Sequence, residues 1–147
     1  MSTEARTVTT RDVFVTGGTG YIGRRAVASL VERGHRVRAL VRPESQPLLP
    51  PGCTSVVGNA LDASTFFTDV AGCDTFLQLV GTPHPLPSKA AEFERVDLVS
   101  VRESCRAANA AQISHFIWPA WNDRQLVSAS LACRSYGKRS RHQHGII

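Results

Sequence analysis

No apolar run among the 147 residues is long enough to cross a bilayer, and the amino-terminal MSTEARTVTTRD lacks the apolar segment of a secretory signal. A membrane-spanning or exported class is therefore not expected, and a cytoplasmic setting is. Cys-x-x-Cys pairs are also missing. Cys53, Cys73, Cys105 and Cys133 lie far apart, the distribution expected of reduced, mostly buried thiols and not of a disulfide framework or a zinc site. His142 and His144 stand two apart with no further ligand nearby, so no metal is expected there either. At 42% apolar and 20% charged residues the chain is of the soluble globular class, with length for one core and no more.

The most informative stretch is residues 13–23, VFVTGGTGYIG. Val13, Phe14 and Val15 follow Arg11 and Asp12 as a β-branched and aromatic run of strand type. Residues 21–33 then place Ile22, Ala26, Val27, Leu30 and Val31 on one helical face and Arg24, Arg25, Glu32 and Arg33 off it, with Gly34 where a helix ends. Residues 35–41 (HRVRALV) alternate as a second strand. Between the first strand and the helix, Gly17, Gly20 and Gly23 recur at three-residue spacing. A glycine triplet alone joins many strands and helices without binding anything; within a β-α-β unit it has a chemical reason. A dinucleotide pyrophosphate must approach bare backbone N–H groups and the positive end of a helix dipole. Gly17 would make the tight turn, Gly20 would admit the phosphates, and Gly23 would let the helix pack close on the sheet. With Gly18, Thr19, Tyr21 and Ile22 they form the candidate cofactor-binding turn.

Dinucleotide folds that take NAD place an acidic residue about 20 positions beyond the glycines to bind the ribose 2′-OH. Val41 and Arg42 stand there instead. A guanidinium pairs with a 2′-phosphate that a carboxylate would repel, so Arg42, with Arg38 as a possible helper, favours NADP(H) over NAD(H); Glu44 lies close enough to work against this.

Farther on, residues 43–52 (PESQPLLPPG) hold four prolines, which predicts a connecting loop without regular helix. Residues 53–58 restart as a strand, and Asp62 is placed to cap a short helix through Val70. Residues 72–81 read as a turn and a buried strand. Residues 88–111 carry the longest helical pattern, with Ala90, Phe93, Asp97, Val101, Ser104, Ala108 and Ala111 on one face and Glu92, Arg95, Arg102, Glu103 and Arg106 opposite. Residues 115–118 (HFIW) read as a fifth strand. The alternation predicts an α/β fold, a doubly wound parallel sheet of order 3-2-1-4-5 within residues 1–118. Of the 17 Lys and Arg, five (Arg124, Arg134, Lys138, Arg139 and Arg141) fall in residues 119–147 against a single acid, Asp123, and this basic segment keeps no sustained period.

Thr16 to Gly23, TGGTGYIG, resembles the glycine turn of the extended and atypical branches of the short-chain dehydrogenase/reductase superfamily, including NmrA-like proteins, and the resemblance runs over about residues 11–118. It implies a Rossmann fold holding NAD(H) or NADP(H). It also implies that the segment GNALD brings Asn59 and Asp62 to the border of the adenine, with Asn59 standing where the family has an aspartate, and that Gly81 ends a strand running past the cofactor ribose. His84 falls in a proline-rich loop that leads toward the substrate in some members; with no carboxylate partner at local spacing it is not assigned to catalysis. Asp97 falls where related members carry an asparagine or aspartate facing the cofactor cleft.

Active members present a serine or threonine after the fifth strand and a Tyr-x-x-x-Lys pair on one helical face. Here Pro119 and Ala120 take the first place, while Tyr136 is followed by Lys138 at two residues and Ser140 at four. The catalytic residues are therefore unknown. The expectation is an NAD(P)(H)-binding domain, NADP(H) favoured, with catalysis impaired or absent. The alternatives are an active oxidoreductase or epimerase acting on a small-molecule substrate, and an NmrA-like redox-sensing regulator. The basic segment 119–147 is expected to be the product of a truncated or shifted reading frame, which accounts together for the missing serine, pair and pattern; without interleaved aromatics it is a poor nucleic-acid arm. Self-association is expected at the sheet edge that a missing sixth strand would leave.

Overall fold

Alternation along β1 (Asp12–Thr16) divides the core into two layers. Val13 and Val15 join Val27 and Val37 on one face of the sheet, where Leu30 and Val31 of α1 (Tyr21–Glu32) pack on them. Phe14 points to the other face, among Leu40, Val56, Phe66, Val70, Phe76, Ala107 and Ala108. Its ring lies 5.8 Å from that of Phe66 and 5.2 Å from that of Phe76, whose far side meets Phe116 at 5.3 Å. This aromatic row is the apolar centre of the molecule.

The computed structural model describes residues 9–82 and 87–119. β2 (Arg36–Val41), β3 (Thr54–Val57), β4 (Thr75–Gln78) and β5 (His115–Ile117) complete a five-stranded, wholly parallel sheet of order β3-β2-β1-β4-β5. This is the Rossmann-type order expected from the sequence. α2 (Phe67–Val70), α3 (Ala90–Phe93) and α4 (Val99–Ala110) are the remaining α-helices among the described residues. α1 ends as its sequence predicts, with Gly34 in the left-handed region at φ +83°. Asp62 caps its turn by accepting a hydrogen bond from Ser64 N–H at 3.0 Å, although the expected short helix is split into a 3-10 turn, Ala63–Thr65, and α2.

Three local expectations are corrected. Residues 43–52 are not all loop, because Pro43–Leu48 form a 3-10 helix. Pro43 sits at its start, where a fixed φ favours the helix and an N–H is not required. Ile22, expected on the inner face of α1, is 43% exposed, because the helix begins beyond the edge of the sheet. Glu103, expected outside, is buried, while Phe93 and Ala90, expected inside, are exposed. A π turn, Glu94–Leu98, lies between α3 and α4. It adds one residue to the helical path and so rotates everything after it by roughly 100° relative to an unbroken α-helix.

Candidate functional site

Strand register assembles the site. Thr16 pairs with Leu40 on one side and Gln78 on the other, so the glycine turn after β1, Arg42 after β2 and Leu79–Gly81 after β4 all emerge at the same edge of the sheet. This carboxyl edge, where the chain order reverses between β1 and β4, is the crevice in which open α/β sheets bind ligands.

The three spaced glycines have different physical reasons. Gly17 has φ +75°, and a Cβ there would stand 2.6 Å from the carbonyl carbon of Leu79 and 2.7 Å from Val80 N. A Cβ on Gly23 would lie 1.9 Å from the Gly17 carbonyl oxygen, so this glycine closes the helix onto the turn, not onto the sheet as its spacing suggested. Gly20 differs. It is the N-cap of α1 at φ −70°, and a Cβ there would meet nothing nearer than the Gly17 oxygen at 3.4 Å. No side chain caps this helix end, and no acidic residue occupies its first turn. The first N–H groups of the helix have no intrahelical acceptors, and the aligned peptide dipoles make that end positive. Open space above Gly20 therefore adjoins uncompensated donors. A diphosphate fits this cradle, because a carboxylate or a Cβ that would compete with it is absent there.

Thr19 borders the turn half-buried, Gly18 is buried, and Tyr21 and Ile22 are exposed beside it. The Arg25 guanidinium lies over the Tyr21 ring, 4.5 Å from its centre. Arg42 is exposed, with its Nε 3.3 Å from a Glu44 oxygen. Arg38 does not join it, because its guanidinium donates to the carbonyls of Asp69 (2.6 Å) and Ala71 (3.0 Å) at the end of α2. Asn59 and Asp62 serve their own loop: the Asn59 side chain accepts from Leu61 N–H at 3.0 Å, and Asp62 accepts from both Ser64 N–H and the Ser64 hydroxyl. Those Ser64 contacts hold the Asp62 carboxyl below the usual range. Gly81 is exposed, and a Cβ there would lie 3.8 Å from Asp97 Oδ1.

Beneath the turn runs a buried polar chain that sequence reading missed except for Asp97. The Thr16 hydroxyl donates to Gln78 Oε1, Gln78 Nε2 donates to the Ser100 hydroxyl at 2.8 Å, and that hydroxyl donates to the Asp97 carbonyl at 3.0 Å. Thr16, Gln78 and Ser100 are fully buried. The Asp97 carboxylate in turn accepts from Thr82 N–H at 2.6 Å and from the Thr82 hydroxyl at 3.2 Å. The chain thereby braces the ends of β1 and β4 and the segment Leu79–Thr82 on which Gly17 rests. The available signal was Gln78, a neutral polar residue ending an apolar strand, which must find partners when buried. Glu103 is a second brace: it accepts from Ala63 N–H at 3.1 Å and pairs with Arg106 at 3.0 Å, tying the loop after β3 to α4.

His84, Ala120, Cys133, Tyr136, Lys138, Ser140, His142 and His144 lie outside the described residues, as does nearly all of the basic segment. Cys73 and Cys105 are buried and Cys53 half-buried, and burial pushes the Cys53 and Cys73 thiols up. Among the described residues no cluster suits a metal ion, and no helix is long and apolar enough to cross a membrane.

A family model described as NAD(P)H-binding matches residues 17–121. Among curated proteins the chain is similar to a 4-hydroxy-2-methyl-3-oxo-4-farnesyl-3,4-dihydroquinoline-1-oxide ketoreductase of Stigmatella aurantiaca, with 34% identity over 106 residues, 71% of this chain and 31% of that protein. It is also similar to a 3-beta-hydroxysteroid dehydrogenase of Mycolicibacterium neoaurum, with 31% identity over 116 residues, 75% of this chain and 32% of the relative. The chain thus spans about a third of the length of these relatives. Among solved structures, the Bordetella bronchiseptica enzyme WbmH in complex with NAD+ superposes with a TM-score of 0.61 at 20% identity, covering 90% of this chain and 53% of that one. At that identity the likeness shows the fold.

Proposed function

The chain belongs to the NAD(P)H-binding family of the extended, NmrA-like short-chain dehydrogenases/reductases, and from that membership we propose that it is a nucleotide domain with a preference for NADP(H). The observation that carries this reading is the uncapped, acid-free amino terminus of α1 behind an open Gly20. In this reading Gly17, Gly18, Thr19, Gly20, Tyr21, Ile22 and Gly23 form the turn over which the pyrophosphate lies. The turn supplies backbone donors and the helix dipole. Arg42 meets the 2′-phosphate, the backbone around Asn59 and Asp62 borders the adenine, and Gly81 adjoins a ribose of the cofactor. A bound dinucleotide would supply hydride chemistry at its nicotinamide ring. The chain's own part is to bind and orient, with the Thr16–Gln78–Ser100 chain holding the floor of the crevice rigid.

Catalysis by this chain is proposed to be impaired or absent, because Pro119 stands where active members carry a serine or threonine and Tyr136 has no lysine at the fourth position. A second reading, an active oxidoreductase, draws on the ketoreductase and dehydrogenase named above. The reading as a nucleotide domain includes a cytoplasmic setting, and self-association through β5, the last strand of the sheet among the described residues, where Ile117 is half-exposed.

Calorimetric titration with NADPH, NADH and their oxidised forms tests the binding. Micromolar NADPH affinity, weakened in Arg42→Ala by about tenfold, is expected if a charge-assisted contact to phosphate is lost. Failure to bind any form would overturn the reading. Turnover of carbonyl substrates would favour the second one.

A further inference from the structure

The turn after β2 carries two opposite charges where a single one would select a cofactor. Arg42 ends the extended segment at φ −72° and ψ 149° and caps the 3-10 helix Pro43–Leu48, whose first turn contains Glu44. The turn is built, not loose: Ser45 N–H donates to the Arg42 carbonyl at 2.9 Å, and Ser45 is buried. Pro43 between the two charged residues fixes φ, which limits how far Glu44 can swing from Arg42. Their side chains are 73% and 64% exposed, yet they pair at 3.3 Å. Arg38 on β2 is committed to the carbonyls of Asp69 and Ala71 and cannot share the load.

The chemistry of the two side chains is opposed. A guanidinium attracts a 2′-phosphate, whereas a carboxylate repels it and accepts from a 2′-hydroxyl. We propose that Glu44 is a built-in competitor that withholds Arg42 from the 2′-phosphate and so narrows the discrimination between NADP(H) and NAD(H). This inference rests on the reading of the crevice as a nucleotide site. A phosphate approaching Arg42 must break the ion pair and sit beside the released carboxylate. An exposed pair of this kind is worth up to about a factor of five in an equilibrium, and repulsion between exposed charges fades with salt. A conservative change at Glu44 therefore alters selectivity without touching the core.

The test is calorimetric titration of wild type, Glu44→Gln, Arg42→Gln and the double variant with NADPH and with NADH, at low and at high ionic strength. Expected is a gain in NADPH affinity of about fivefold for Glu44→Gln at low salt, little change for NADH, a smaller gain at high salt, and no gain when Arg42 is already glutamine. An unchanged NADPH-to-NADH ratio overturns the proposal. So does an equal gain in the Arg42→Gln background, which would mean that Glu44 does not act through Arg42. A selective loss of NADH affinity would overturn it too, by making Glu44 a direct ribose ligand. Wild-type protein that binds neither dinucleotide defeats the nucleotide reading itself, an outcome distinct from all of these.

Discussion

The two ends of the parallel sheet are both polar, and they resolve their polarity in opposite ways. At the amino ends of the strands the charges satisfy one another. Asp12 accepts two bonds from the Arg36 guanidinium at 2.7 and 2.5 Å, and Asp74 accepts from Asp12 N–H at 3.2 Å and lies 3.6 Å from the Arg11 guanidinium. Arg11 N–H donates to His35 Nδ1 at 3.1 Å. At the carboxyl ends, α1 starts with no side-chain cap and no acid in its first turn. One end is closed by its own partners, and the other leaves donors for something else. Binding chemistry belongs at the end that does not complete itself.

The largest break in this contrast is expected from Gly23→Ala. The new methyl would overlap the Gly17 carbonyl, so the turn must move. A loss of about 3 kcal/mol in denaturant unfolding, together with loss of dinucleotide binding, is expected from overpacking of this severity. Next is Glu103→Ala, which strips Ala63 N–H of its buried acceptor. It should cost about 1–3 kcal/mol by the same measurement, and Glu103→Gln, which keeps an acceptor oxygen, should cost less.

Gly20→Ala sharpens the contrast most cleanly. Its Cβ has room and its backbone is extended, so the thermal midpoint should hold while dinucleotide affinity falls about tenfold, equivalent to 1.4 kcal/mol. A parallel fall in both would make Gly20 a folding residue only.

The smallest effect belongs to the closed end. The Asp12 carboxyl is held below the usual range by its hydrogen bonds from Arg36, against the opposing pull of burial. For Asp74, burial again works against ionisation, and the Thr75 hydroxyl, Asp12 N–H and Arg11 outweigh it. A carboxyl lowered in the folded state contributes stability that is complete above its unfolded value, about 3.9, and is lost as pH falls through the folded value. Asp12→Asn and Asp74→Asn should each flatten the decline of stability below about pH 4 and leave nucleotide affinity at pH 7 unchanged. Unfolding curves across acid pH, paired with one binding titration, check both halves.

Much of this was legible in the residues. Val13 to Val15 read as a buried strand, the face of Val27, Leu30 and Val31 as a helix on it, and Gly34 as its end, because each signal is local and repeats with the period of its own element. The alternation of such elements was enough for the strand order. Asp62 as a cap was legible for the same reason: the N–H that donates to it, on Ser64, lies two residues away. Glu103 and Ile22 were misplaced because helical periodicity presumes an unbroken helix packed along its whole length. A π turn rotates α4, and α1 begins beyond the edge of the sheet.

The sequence by itself determined the α/β class, the order of the sheet, and a glycine-rich turn between β1 and α1. Tertiary structure alone decided which glycine is steric and which is open, because only the approach of Leu79, Val80 and the Gly17 carbonyl tells them apart. It also decided the partners of the charges. Arg38 within β2 and Arg42 just after it are four apart, yet one is drawn to the carbonyls ending α2 and the other to Glu44. Periodicity follows from the backbone of each element, whereas a side chain's partner depends on what the fold brings beside it from far along the chain.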